Sequence, residues 1–194
     1  MKFIGVYNYT VALTYMSLIS GVLGMKFAYD GKIGLAICCL MISGICDMFD
    51  GTVARTKKNR TDDEKSFGIQ LDSLCDVVCF GVVPAVIMYF SGVNTYYGIA
   101  ILVLYVLCAV IRLAFFNVLE AKRQATEGGS NKFFRGLPVT SASMIFPFFY
   151  LVGLFLPTLV ITIIYYVITA LTAVLFVTDI RVPKLDVSAL FKKK

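Results

Sequence analysis

The chain has 194 residues, with 18 Lys and Arg against 12 Asp and Glu, and neither His nor Trp. It is 59% hydrophobic and 15% charged, with a mean hydropathy of +0.83, whereas a soluble domain is about 45–50% apolar and about 25% charged. This excludes a water-soluble globule and indicates one integral membrane domain over residues 1–194; without His, acid–base and metal chemistry must use carboxylates or Cys.

A helix needs about 20 apolar residues to cross a bilayer. The chain offers six such stretches: 11–28, 33–54, 67–90, 96–119, 139–156 and 158–177. The expected fold is therefore all-α and polytopic, with six transmembrane helices. The first stretch is short and carries Lys26 near its end, where an ammonium can snorkel to the interface. Thr61-Asp-Asp-Glu64 has the spacing of a capping box, so the third helix starts before its apolar stretch. That assigns Asp62, Asp63 and Glu64 to capping rather than catalysis. Pro157 separates two apolar runs and reads as a tight turn. Tyr29, Tyr89, Tyr96, Tyr97 and Tyr150 lie near span ends, as interfacial rings do. Met1–Tyr9 lacks the charged-then-apolar order of a cleavable signal.

The basic residues set the orientation. Of the 18, 15 fall on one side of this six-span arrangement. Lys26 and Lys32 fall on the other, and Arg112 lies within the fourth span. The positive-inside rule then places both termini in the cytoplasm. The net charge of +6 is consistent with an anionic leaflet and calls for no nucleic-acid partner. The six cysteines (Cys38, Cys39, Cys46, Cys75, Cys79 and Cys108) lie in apolar stretches without a CxxC pair. They read as packing residues, not as disulfides or a zinc site.

Four acids resist such a bland reading. Asp47 and Asp50 lie towards the end of the second span, and Asp72 and Asp76 in the first part of the third. Each costs roughly 2.5–3.5 kcal/mol at a span centre, and four together up to about 10 kcal/mol. The spacings i,i+3 and i,i+4 put each pair on one helix face. Consecutive spans run antiparallel, so all four carboxylates converge near the cytoplasmic surface. Oxygen ligands of high negative charge suit a hard divalent cation, Mg²⁺ or Mn²⁺. Four carboxylates suffice for two ions, the arrangement that clamps phosphoryl chemistry. Gly51, Ala54 and Gly68 leave room beside the acids, and Arg55 adds a cation suited to phosphate.

Written out, the segment is Asp47-x2-Asp50-Gly51-x2-Ala54-Arg55-x12-Gly68-x3-Asp72-x3-Asp76. It resembles the signature of the CDP-alcohol phosphotransferase family. Six spans with cytoplasmic termini are similar to that family's membrane domain, so the likeness covers nearly the whole chain. The loop between Arg55 and Gly68 is longer than the family usually has. Within the family, the chain is most similar to integral-membrane phosphatidylserine synthases of bacteria and archaea. The segment Arg112-Leu-Ala-Phe-Phe-Asn117 resembles their Arg-Leu-Ala-Arg-Phe-Asn, with Phe115 for the second Arg. Phe134-Arg-Gly-Leu-Pro138 resembles their Phe-x-Gly-Leu-Pro. Thr14-x2-Ser17-x3-Gly21 is similar to their Thr-x2-Asn-x3-Gly, with Ser for Asn.

The resemblance implies that Asp47, Asp50, Asp72 and Asp76 hold divalent cations, two per site, and that Asp76 is also the general base. It implies that Gly51, Ala54, Arg55 and Gly68 bind CDP. The implied reaction transfers a phosphatidyl group from CDP-diacylglycerol to L-serine, releasing CMP without a covalent enzyme intermediate. A homodimer in a prokaryotic cytoplasmic membrane, with the site facing the cytoplasm, is implied as well. For the acceptor, Arg112 is an intramembrane cation and hence a functional candidate; snorkelling or pairing with Glu120 is its structural alternative. Asn117, Arg135 and Gly136 are further acceptor-binding candidates. Glycerol phosphate or inositol phosphate are alternative acceptors within the family. An acidic ring in a cation channel or transporter is the reading from a different class.

Overall fold

A computed structural model describes Gly5 and residues 9–57, 61–126, 133–179 and 181–183. The side chains of Arg55, Glu120, residues 122–126, 133–135 and 181–183 lie outside that description, as do Lys2, Lys58, Arg60, Lys132, Lys184 and Lys192 to Lys194.

The helices in chain order are α1 (Ala12–Tyr29), α2 (Ile33–Thr56), α3 (Asp62–Asp76), α4 (Val83–Phe90), α5 (Tyr96–Thr126), α6 (Ala142–Gly153) and α7 (Thr158–Val177). A π-helical segment, Val77–Val82, joins α3 to α4 into one rod from Asp62 to Phe90. Five of the expected spans are long and apolar enough to cross a membrane. The remaining stretch, the fifth in chain order and expected over 139–156, forms a helix only over Val139–Gly153. At about 1.5 Å per residue it reaches roughly 22 Å, short of a hydrocarbon core of about 30 Å. Its neighbour α7 begins at Thr158 after the turn expected at Pro157.

An all-α fold needs one amendment. Two three-residue strands, β1 (Phe133–Arg135) and β2 (Arg181–Pro183), pair antiparallel with Phe134 opposite Val182. This ribbon ties the entry to α6 to the exit from α7. The backbone N–H of Leu137 extends the tie by bonding the Leu175 carbonyl at 3.2 Å.

Small polar residues fix the register of α1 on α2. Ser17 Oγ donates to the Ser43 carbonyl at 3.2 Å, and Ser43 Oγ returns the bond to the Ser17 carbonyl at 2.8 Å. Ser20 Oγ donates to the Cys39 carbonyl at 2.8 Å. With the hydroxyls so satisfied, the backbones can approach closely. A methyl group at Gly24 would meet Cys39 Cβ at 3.1 Å, and one at Gly21 would meet Cys79 Sγ at 3.2 Å. The six cysteines are free thiols; Cys75, Cys79 and Cys108 are buried, Cys39 and Cys46 half-buried, and Cys38 is exposed, so the packing expected of all six does not extend to Cys38.

The start of α3 follows its sequence signal. Thr61 Oγ1 accepts from the Glu64 N–H at 3.2 Å, and the Glu64 carboxylate accepts from the Thr61 N–H at 3.3 Å. Glu64 also pairs with Lys57 across the loop at 2.8 Å. Deeper in the rod, Pro84 has no N–H to offer the carbonyl four residues back, that of Phe80. The fully buried Tyr105 donates its hydroxyl to that carbonyl at 2.7 Å. Tyr105 also packs on Phe146 and Phe176, with ring centroids 5.7 and 5.4 Å away. One α5 side chain thus stabilises the irregular segment just below the acids and anchors α6 and α7.

At Gly44 the helices α2 and α6 approach closely. A methyl at Gly44 would fall 2.5 Å from Ser143 Cβ, too close for a rotamer change to relieve. Gly44→Ala should therefore part the two helices and cost about 1–3 kcal/mol, read as a lower thermal midpoint in detergent. An unchanged midpoint would contradict the packing described.

Candidate active site

The last turns of α2 and the C-terminal half of α3 carry the four acids to one place. One carboxylate oxygen each from Asp47, Asp50 and Asp72 lies within 4.8 Å of the other two. The Asp72 carboxyl faces that of Asp50, and Asp76 reaches the group through Asp47. The convergence expected from the i,i+3 and i,i+4 spacings is present.

Like charges at this separation, inside an apolar bundle, repel strongly unless a cation or a proton intervenes. Among the described residues, the ion pairs are Lys26–Asp30, Lys57–Glu64 and Lys65–Asp62; none involves the four acids. The buried Asp72 Oδ1 has no hydrogen-bond partner among the described residues. An all-oxygen donor set with an orphaned buried oxygen fits a hard divalent cation.

Two clefts open on these carboxylates. The first, about 280 Å³, lies between α1, α2 and α3, with Asp50 and Asp72 at its floor. Gly51, Ala54 and Gly68 line it, and so does Lys65. No heavy atom of the described residues lies within 4 Å of where a Gly51 side chain would begin, so among them nothing covers its backbone on the cleft side. From α1, the buried Thr14 donates its hydroxyl to Asp50 Oδ2 at 3.1 Å. Arg55 belongs to the last turn of α2, but its side chain lies outside the described residues.

The second cleft, about 240 Å³, meets the same acids from the α5 side. Asp47, Asp50 and Asp72 form one wall; Arg112, Phe116 and Pro138 to Thr140 form the other. Arg112 is only 6% exposed. Its guanidinium lies over the Phe116 ring, 5.4 Å from the centroid, and its Nε has no hydrogen-bond partner among the described residues. Gly136 has φ +76°, and a side chain there would meet the Phe176 carbonyl at 3.0 Å and Arg112 Nε at 3.3 Å. Only glycine permits this approach to the guanidinium.

Other expected site residues fall differently. Asn117 Oδ1 accepts from Ser73 Oγ at 2.9 Å, so Asn117 braces α5 against the helix that bears Asp72. Arg135 is opposite Arg181 in the ribbon; its side chain, and that of Glu120, the alternative partner for Arg112, lie outside the described residues. Sequence reasoning missed Lys65, Phe116 and Thr140 as lining residues, and it gave Thr14 only a motif likeness. Spacing within one helix cannot reveal a contact such as Thr14–Asp50, made across 36 residues.

The sequence pattern of the CDP-alcohol phosphatidyltransferase family matches residues 7–181. The chain belongs to that family. It is 38% identical over 144 residues to the archaetidylserine synthase of Methanothermobacter thermautotrophicus, covering 74% of this chain and 58% of that protein. It is 33% identical over 135 residues to the CDP-diacylglycerol–serine O-phosphatidyltransferase of Mycobacterium bovis, covering 69% and 45%. A protein of that same name from Saccharomyces cerevisiae is 43% identical over 101 residues, covering 51% and 35%. The chain spans about half the length of the curated relatives it matches. No solved structure matches.

Family membership and the acidic group together yield a direct test. A ligand present at about a hundredfold excess over its Kd stabilises a fold by about 2.7 kcal/mol. Mn²⁺ should raise the thermal midpoint of the wild type in detergent, and Asp72→Asn should lose most of that gain. In chelator alone, Asp72→Asn should melt at or above the wild type, because it removes a repelling charge. Equal Mn²⁺ gains in the two proteins would contradict a cation site at Asp72.

Proposed function

We propose that the chain transfers the phosphatidyl group of CDP-diacylglycerol to L-serine, giving phosphatidylserine and CMP. One observation carries the reading: Asp50 and Asp72 border both clefts, one on each side of the carboxylates. A donor lying in the first cleft and an acceptor in the second would meet across the acids, as an in-line displacement requires. A ring around a pore would not present two separate clefts, which argues against the channel reading.

In this reading Asp47, Asp50, Asp72 and Asp76 hold Mg²⁺ or Mn²⁺, two ions per site. Bound divalent cations would neutralise the diphosphate and stabilise the departing CMP. Gly51 and Ala54 on α2 and Gly68 on α3 leave room for the cytidine diphosphate, with Arg55 at the end of α2. Arg112 offers its guanidinium to the serine carboxylate, held in place by Phe116 and by the absence of a side chain at Gly136. Arg135, in the ribbon that precedes α6, and Gly136 are further contacts for the acceptor. Asp76 takes the proton from the serine hydroxyl as that oxygen attacks the lipid-side phosphorus. Asn117, whose Oδ1 accepts from Ser73 and so steadies the α3–α5 contact, offers its amide nitrogen to the acceptor.

The relatives named as serine transferases, together with the Arg112–Asn117 and Phe134–Pro138 segments, favour serine over a phosphorylated acceptor. The site opens to the cytoplasm of a prokaryotic cell membrane, supported by the basic side of the chain. Residues 1–194 form one membrane domain of six spans in which the short apolar helix Val139–Gly153 serves as the fifth, and two copies associate as a homodimer. Purified protein with CDP-diacylglycerol and Mn²⁺ or Mg²⁺ should release CMP when given L-serine, at a rate far above that with glycerol 3-phosphate or inositol phosphate. CMP release with glycerol 3-phosphate but not serine would overturn the proposal.

A further inference from the structure

We propose that Thr14 is a positioning residue for the cation site, setting the orientation of the Asp50 carboxylate from a neighbouring helix. The inference rests on the reading of the acidic group as a divalent cation site, and it adds a role for α1, which contributes none of the four acids.

Thr14 is 6% exposed and its hydroxyl proton goes to Asp50 Oδ2 at 3.1 Å. A threonine in a helix can instead bond a carbonyl of its own preceding turn. Thr162, Thr169 and Thr172 do so here, each donating to the carbonyl four residues back. Thr14 spends its donor across the helix interface. A carboxylate free to rotate about its last bond presents its oxygens over a wide arc. One fixed by a donor on Oδ2 presents Oδ1 in a set direction. Partners of this kind behind a metal-binding side chain orient it and are worth about 10–100-fold in metal affinity.

The donor is itself held rigidly. One turn along α1 from Thr14, Ser17 and Ser43 exchange hydroxyl-to-carbonyl bonds, and Ser20 bonds Cys39 one turn further. These contacts run antiparallel up the α1–α2 interface and end at Thr14 and Asp50. The serines fix the register; Thr14 converts that register into the orientation of one carboxylate. The hydroxyl approaches Asp50 from the side of the first cleft, which Thr14 also lines, so it does not intrude between Asp50, Asp47 and Asp72.

The test compares Thr14→Val, which keeps the shape and deletes the donor, with Thr14→Ser, which keeps the donor. Mn²⁺ binding to full-length protein in detergent is read by electron paramagnetic resonance, without nucleotide or lipid substrate. Thr14 cannot alter this titration by touching a substrate. Thr14→Val should bind Mn²⁺ about 10–100-fold more weakly than wild type, while Thr14→Ser stays within about threefold. Equal affinity in Thr14→Val and wild type would overturn the inference. So would equal weakening in both variants, since packing and not the donor would then be at work. If Thr14→Val does not fold, Thr14→Ala takes its place in the same comparison. A wild-type protein that binds no Mn²⁺ would instead overturn the cation reading itself, a result distinct from either.

Discussion

Three carboxylates with oxygens within 4.8 Å of one another cannot all keep their charge in an apolar bundle unless something positive answers them. Among the described residues no lysine or arginine does so, and an oxygen of Asp72 is left without a partner. Much of the surrounding structure can be read as the means of holding this unfavourable group together. Serines pin α1 to α2, Thr14 steadies Asp50, and Ser73 with Asn117 braces the back of Asp72. The irregular segment below Asp76 is stabilised by Tyr105, which answers the carbonyl that Pro84 leaves unpaired. π-Helical turns within longer helices frequently mark functional sites, and this one begins directly after the last of the four acids.

The arrangement separates two kinds of recognition. The first cleft is lined by small residues, Gly51, Ala54 and Gly68, which leave room for a ligand near the backbone. The second is built around one buried cation. Arg112 has an aromatic face beneath it and a glycine backbone beside it, so its guanidinium is confined without being neutralised by a neighbouring carboxylate among the described residues. An arginine kept in that state suits an anionic group on an arriving molecule. The acids shared by both clefts are where two substrates would meet.

The large-scale fold was legible because the physics behind it is local. Apolar length marked the spans, Pro157 marked the turn before α7, and Thr61 with Glu64 marked the start of α3. The i,i+3 and i,i+4 spacings of the acids, read with antiparallel neighbours, located the site. What escaped the sequence depends on contacts between distant residues. The strands β1 and β2 are three residues each and pair across more than forty, too short to show a pattern of their own. The stretch ending in Gly153 looked long enough to span, because its composition continues apolar through Leu156 while its helix does not. The Ser73–Asn117 contact, made across 44 residues, had no sequence signal either. Thr14 carried only a faint motif likeness, because its meaning lies in Asp50, on another helix.

The stereochemical course at the transferred phosphorus tests the central claim most directly. A CDP-diacylglycerol made chiral at its lipid-side phosphorus by sulfur substitution would be converted with L-serine and the product configuration determined. Two substrates meeting across shared carboxylates, with Asp76 as base and no covalent enzyme intermediate, predict a single displacement and inversion of configuration. Retention would mean that the phosphatidyl group passes through the protein, and would contradict the account.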